Sequence, residues 1–198
     1  MTKITLICSL LAGCWTTSQT AESKHPRETE VEVALAAVTL GDDCGDDAVM
    51  PPPVASAKPP VEAPTAVAPV DYRPHCDQTA MQLSLRASSG EAPTTVRVTK
   101  VELLDDAGRV LAQLASRAPT RWTTDGTYVA WDQTIAPNQT LAASYALAAP
   151  NWDALTNGRW NAHSKTFRLR VTMTIGSSAR TVDKQSITPA RLDPPVPT

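Results

Sequence analysis

Phe167 to Ile175 reads FRLRVTMTI, and its five apolar residues, Phe167, Leu169, Val171, Met173 and Ile175, alternate without a break with Arg168, Arg170, Thr172 and Thr174. A period of two places the apolar side chains on one face of an extended strand and the polar ones on the other. Such a segment needs a sheet with one face packed and one face wet, which antiparallel sheets provide. Gly176-Ser177-Ser178 supplies turn residues, and Arg180 to Thr188 returns as the hairpin partner.

The same punctuation extends back to Met81. Met81-Gln82-Leu83-Ser84-Leu85 alternates strictly. Thr95 to Leu104 carries Val96 and Val98 in one phase, then Val101 and Leu103 one residue out of it, which predicts a β-bulge near Thr99 and Lys100. Asp105-Asp106-Ala107-Gly108 is turn chemistry, so Val110 to Leu114 returns antiparallel. Tyr128 to Trp131 forms a short strand, Ala136-Pro137-Asn138-Gln139 breaks the chain, and Leu141, Ala143, Tyr145 and Leu147 share a face. Asn151 to Leu155 reads as one helical turn capped by Asn151. Short strands with turn signals at about eight- to twelve-residue spacing predict an all-β fold: an immunoglobulin-like antiparallel β-sandwich over residues 76–190.

Upstream the composition changes. Residues 51 to 74 hold eight of the chain's 17 prolines, and proline lacks the donor a sheet interior needs. Residues 45–75 therefore read as a disordered, proline-rich spacer of polyproline II character. Before it, Glu28, Glu30 and Glu32 alternate with Val31, Val33 and Leu35, which makes residues 28–44 a candidate β-strand joining the sandwich. Its alanines leave a helix as the alternative. Residues 14–27 read as a flexible tether and 191–198 as a disordered tail. Residues 14 to 75 carry ten acids against four bases, and residues 76 to 198 thirteen bases against ten acids. With a net charge of -2 and no basic stripe, no nucleic-acid partner is expected.

Met1 to Gly13 has a cation at Lys3, an apolar run from Ile4 to Leu11, then Ala12 and Gly13, the layout of a signal peptide over residues 1–13. The run is far shorter than the roughly 20 residues that span a hydrocarbon core. Leu11-Ala12-Gly13-Cys14 resembles the lipobox of bacterial lipoproteins. That resemblance implies that Cys14 is acylated, making membrane lipid the first partner. It also implies export and anchoring to the cell envelope; Trp15 in place of an Asp after the cysteine points to the outer membrane. More than one acyl chain makes such anchoring stable, at about 0.8 kcal/mol per buried CH₂.

With Cys8 removed and Cys14 acylated, Cys44 and Cys76 remain. An even pair in an exported chain predicts a disulfide. Closing a loop of about 33 residues contributes roughly 3.5 kcal/mol in the chain-entropy picture. The alternative is a periplasmic metal-binding or carrier site using Cys44, His75 and Cys76, since thiolate and imidazole suit zinc or copper.

For catalysis the inventory is thin. His25, His75 and His163 stand apart in sequence, no nucleophile elbow or Ser-x-x-Lys occurs, and Asp105-Asp106 is explained by its turn. No enzyme activity and no cofactor are expected. Trp122, Trp131, Trp152 and Trp160 fall within 39 residues. Exposed, they would form a surface platform for a glycan or an envelope protein; buried, they would supply the bulk that a single phenylalanine cannot, and the core is the favoured place.

Ala130-Trp131-Asp132-Gln133, Ala136-Pro137 and Leu141 to Leu147, with Asp42-Asp43-Cys44-Gly45 upstream, are similar to stretches of uncharacterised proline-rich lipoproteins of myxobacteria. The resemblance implies an address and an architecture and carries no reaction. The expected function is a lipid-anchored, cell-envelope binding or structural module.

Overall fold

The computed structural model describes residues 29–45 and 76–190. The expected signal peptide, tether, acylated Cys14, most of the proline-rich spacer and the tail lie outside the described residues. Ten strands run β1 Val31–Thr39, β2 Ala80–Ala87, β3 Thr94–Leu104, β4 Val110–Gln113, β5 Thr120–Trp122, β6 Tyr128–Ala130, β7 Thr134–Ile135, β8 Thr140–Ala146, β9 Phe167–Ile175 and β10 Ser178–Ile187. Two short helices, α1 Trp152–Thr156 and α2 Arg159–Ala162, link β8 to β9.

One sheet has the order β1-β2-β8-β5-β6 and the other β10-β9-β3-β4, with every ladder antiparallel. Taken in order, β1-β2-β8-β5 corresponds to strands A-B-E-D of an immunoglobulin sandwich and β10-β9-β3 to G-F-C. The fold is the expected all-β, antiparallel sandwich.

Strand β9 shows why. Phe167, Leu169, Val171, Met173 and Ile175 are all buried, and the residues between them are partly exposed. Facing them across the sandwich are Met81, Leu83 and Leu85 of β2 and Ala143 and Tyr145 of β8. The phase slip in β3 is a bulge between Val98 and Lys100, after which Val101 and Leu103 again face inward, opposite Val171 and Leu169. Within the expected strand region Val31–Thr39 is a strand, not a helix: β1 pairs with β2 from Val31↔Ala87 to Thr39↔Ala80. A bulge at Ala36 separates its two inward sets, Val31, Val33 and Leu35 from Val38 and Leu40. Lys184 on β10 donates to the carbonyls of Leu35 and Ala36, at 3.4 and 2.8 Å, and so caps that bulge from the other sheet.

Asn151 accepts from the Ala154 amide at 3.1 Å and starts α1 as expected. The helix buries Trp152, whose indole packs edge-on to Phe167 at 5.6 Å and donates to the Gly41 carbonyl at 3.3 Å. The Tyr145 hydroxyl lies in the core and finds no hydrogen-bond partner among the described residues, and burial pushes its pKa well above the ordinary value. Among the described residues no helix is long and apolar enough to cross a membrane.

On the outer face of the four-stranded sheet five charged side chains bond to one another. Lys100 pairs with Glu102 at 2.8 Å, and Arg170 forks onto Asp183 with two 3.0 Å contacts while Arg168 adds a third at 3.3 Å. The Arg170 hydrogen bonds outweigh partial burial and hold the Asp183 carboxyl below the usual 3.8, with the charges of Arg170 and Arg168 adding to the effect. A carboxyl lowered in the folded state contributes stability above its unfolded value and loses that contribution as the pH falls through the lowered one. Asp183→Asn should therefore cost about 0.2–1 kcal/mol at pH 7 and converge with wild type as the pH falls through the lowered carboxyl value. Denaturant melts across that range check it; a gap undiminished in acid would mean packing and not charge.

Candidate functional site

The junction where β1 hands over to β2 holds the disulfide. Cys44 and Cys76 are joined, with their Cα atoms 5.9 Å apart. The chain around them is fixed by other bonds as well. The Asp42 amide donates to the Asp77 carbonyl at 2.7 Å, the Thr79 amide to the Asp42 carbonyl at 2.8 Å, and the Cys44 amide to Gln78 Oε1 at 2.9 Å. Arg159 pairs with Asp42, and Arg117 reaches the Asp43 carboxylate and the Gly45 carbonyl. This corrects the metal alternative for Cys44, His75 and Cys76. The two sulfurs are bonded to each other and offer no thiolate, and His75 lies outside the described residues. Among the described residues no three His, Cys, Asp or Glu side chains converge to hold a metal ion.

The four tryptophans do not make one platform. Trp131 is 5% and Trp152 7% exposed, both in the core, whereas Trp160 on α2 is 66% exposed with its ring edge against His163 at 5.7 Å. Trp131 is drawn inward because its indole finds the Thr134 carbonyl at 2.8 Å, and Trp152 because Gly41 satisfies its ring nitrogen. Trp122 is half-buried on the outer face of the five-stranded sheet, packed edge-on to Tyr128 at 4.8 Å. The Tyr128 phenol lies across that face and accepts from Ser144 Oγ at 3.3 Å and Gln82 Nε2 at 3.5 Å. Burial raises its pKa above the ordinary 10.0. This cover explains why Gln82, on the outward side of an alternating strand, is only 4% exposed.

The same outer face continues into an open groove of about 670 Å³ lined by Glu30, Glu32, Arg86, Ser88, Asn138 and Thr140. Register assembles it: Glu32 pairs with Arg86, and Arg86 with Thr140, so the three stand in one row across β1, β2 and β8. Asn138 is positioned by its turn. Pro137 and Asn138 occupy the corner between Ala136 and Gln139, the Gln139 amide bonds the Ala136 carbonyl at 3.1 Å, and Asn138 takes φ 60°. That is a type II turn, in which proline at the second position and asparagine at the third fit their backbone angles.

A second hollow, about 310 Å³, lies by Pro93, Arg121, Trp131, Asp132, Thr134 and Gln139. Asp132, Thr134 and Gln139 in it are already engaged. Asp132 accepts from the Thr134 amide and hydroxyl at 3.0 and 2.8 Å, contacts that hold its carboxyl below the ordinary range, and Gln139 accepts from the Ala136 amide at 2.9 Å.

Neither a family model nor a curated protein matches the chain. Among solved structures it is similar to a family 123 glycoside hydrolase from Clostridium perfringens described for glycolipid glycan hydrolysis. The likeness has 11% identity and a TM-score of 0.29, and it spans 57% of this chain and 21% of that one. At that level it carries no argument about fold or function.

Proposed function

We propose that this protein is a lipid-anchored binding module of the bacterial cell envelope, without catalytic activity, in which the sandwich presents a recognition surface and the acylated Cys14 holds it to the outer membrane. The Cys44–Cys76 disulfide carries the export part of this reading, because such bonds persist in oxidising compartments and not in the cytosol. The lipobox-like Leu11-Ala12-Gly13-Cys14 supports the anchor, and Trp15 the outer membrane. The open groove supports binding: its charged groups stand on a rigid sheet face, unlike the paired charges on the other sheet.

The anchor rests on one sulfur. In a bacterial host that processes lipoproteins, wild type should enter the detergent phase, and Cys14→Ser should move to the aqueous phase or stay unprocessed at the precursor mass. Equal detergent partitioning of the two at the mature mass would overturn the anchor.

A further inference from the structure

Glu32 and Arg86 are direct cross-strand partners, yet no ion pair joins them, and the side chains of Glu30, Glu32 and Arg86 make no hydrogen bond or ion pair with another described residue. Arg170 and Asp183, a cross-strand pair on the opposite sheet, do bond to each other, whereas Glu32 and Arg86 do not. We propose that the outer face of the five-stranded sheet, from this groove to the Trp122–Tyr128 pair, binds a neutral glycan chain. The inference rests on the binding-module reading and gives it a ligand class.

Register sets the dimensions of the face. Thr120 pairs with Ser144 and Arg121 with Ala143, which brings Trp122 level with Ala142, two residues along β8 from Thr140 in the groove. Two strand spacings of ~4.8 Å and two residue rises of ~3.3 Å separate the aromatic pair from Arg86 by roughly 12 Å. That is the reach of a few sugar units. Between them lies the row Ala34, Ser84 and Ala142, whose small side chains leave room for a ligand to lie on the sheet.

The chemistry at the two ends matches the two aspects of a pyranose. Its C–H face packs on an aromatic ring, here the half-buried Trp122 braced by Tyr128, whose position is fixed by Ser144 and Gln82. Its hydroxyls are donors and acceptors at once, and pairs of them suit the two oxygens of Glu30 and Glu32, the forked donors of Arg86 and the amide of Asn138. Two carboxylates against one guanidinium leave the groove net negative, which disfavours a polyanionic ligand. Although β1 is an edge strand, the groove is lined in a row across β1, β2 and β8, so it offers side chains to a ligand lying over the sheet and not a backbone edge for strand addition.

The test uses the mature, disulfide-bonded protein in detergent, titrated separately with chitohexaose, cellohexaose and maltohexaose while tryptophan fluorescence and binding heat are followed. At least one hexasaccharide should bind saturably. Trp122→Ala and Glu32→Gln should each weaken it tenfold or more, with Trp160→Ala, an exposed tryptophan on α2, unchanged. Glu32 lies on the surface, so Glu32→Gln keeps the fold and its melting temperature should match wild type. Absence of saturable binding by all three sugars at millimolar concentration, or wild-type affinity in both groove variants, overturns the proposal. That outcome leaves the anchor standing if Cys14→Ser still releases the protein; retention of Cys14→Ser in the membrane overturns the anchor and leaves glycan binding intact.

Discussion

Val171→Asp is expected to unfold the sandwich under conditions where wild type is native. Val171 is fully buried at the centre of β9, between Val101 on β3 and Val182 on β10. A carboxylate there has no cation or donor within the apolar set that surrounds it, and burying an unpaired charge costs several kcal/mol. Against a total stability of about 5–15 kcal/mol, that is enough to empty the native state of a marginal domain. Thr172→Asp, one residue along and on the wet face, should shift the melt only slightly. Thermal unfolding of the pair is the check, and a Val171→Asp melting temperature near wild type would mean that the faces of β9 are reversed.

Gly41→Ala should produce the second large loss. A Cβ at Gly41 would lie 1.9 Å from the Asp77 carbonyl oxygen and 2.8 Å from its carbon, both backbone atoms that cannot swing aside. Asp77 is held by the Asp42 amide and adjoins the disulfide-bonded Cys76, so the junction must open. Opening it strains the bond from the Gly41 amide to Thr79 Oγ1, 3.0 Å, and that from the Trp152 indole to the Gly41 carbonyl. Disrupting a buried network of this kind costs about 3 kcal/mol or more. Gly45→Ala is the companion variant: its φ is 68° but its Cβ would meet nothing within 4 Å, so it should cost only about 1 kcal/mol. Denaturant midpoints under non-reducing conditions should fall more for Gly41→Ala; the reverse order would mean that the close approach to Asp77 does not fix the junction.

Features written in local periodicity were legible before the structure. The unbroken alternation of Phe167 to Ile175, the phase slip from Val98 to Val101 and the Asn151 cap each depend on neighbours a few residues away. The disulfide was legible by elimination, on the reading that sets Cys8 and Cys14 aside as signal and anchor. The core was the favoured place for most of the tryptophans, and Trp131 and Trp152 are buried there; which one stays outside was not legible, since Trp152 is fixed by Gly41 and Phe167, far off in sequence, while Trp160 is 66% exposed on α2. Gln82 reads as a wet position and is buried by a tyrosine 46 residues away. The groove was missed for the same reason, as Glu32, Arg86 and Thr140 become neighbours only through register. The Ala36 bulge did leave a trace, the slip from Leu35 to Val38, which the run of alanines obscured.

Because the chain enters the described fold at Thr29, tension on the N-terminal side arrives first at β1, an edge strand with one ladder neighbour. Such a load is borne at the start by the Thr29 hydroxyl on the Ala92 carbonyl, 2.7 Å, and the Ser88 amide on the Glu30 carbonyl, 2.8 Å, and then by the rungs to β2 one at a time. An edge strand pulled from its end unzips at low force, since its bonds fail in succession and not together. Past Thr39 the unzipping front meets a covalent bond, Cys44 to Cys76, that ties the far end of β1 to the approach of β2. The strand can therefore peel and re-zip without leaving the sandwich, and the disulfide acts as a mechanical stop whose worth appears only under pull.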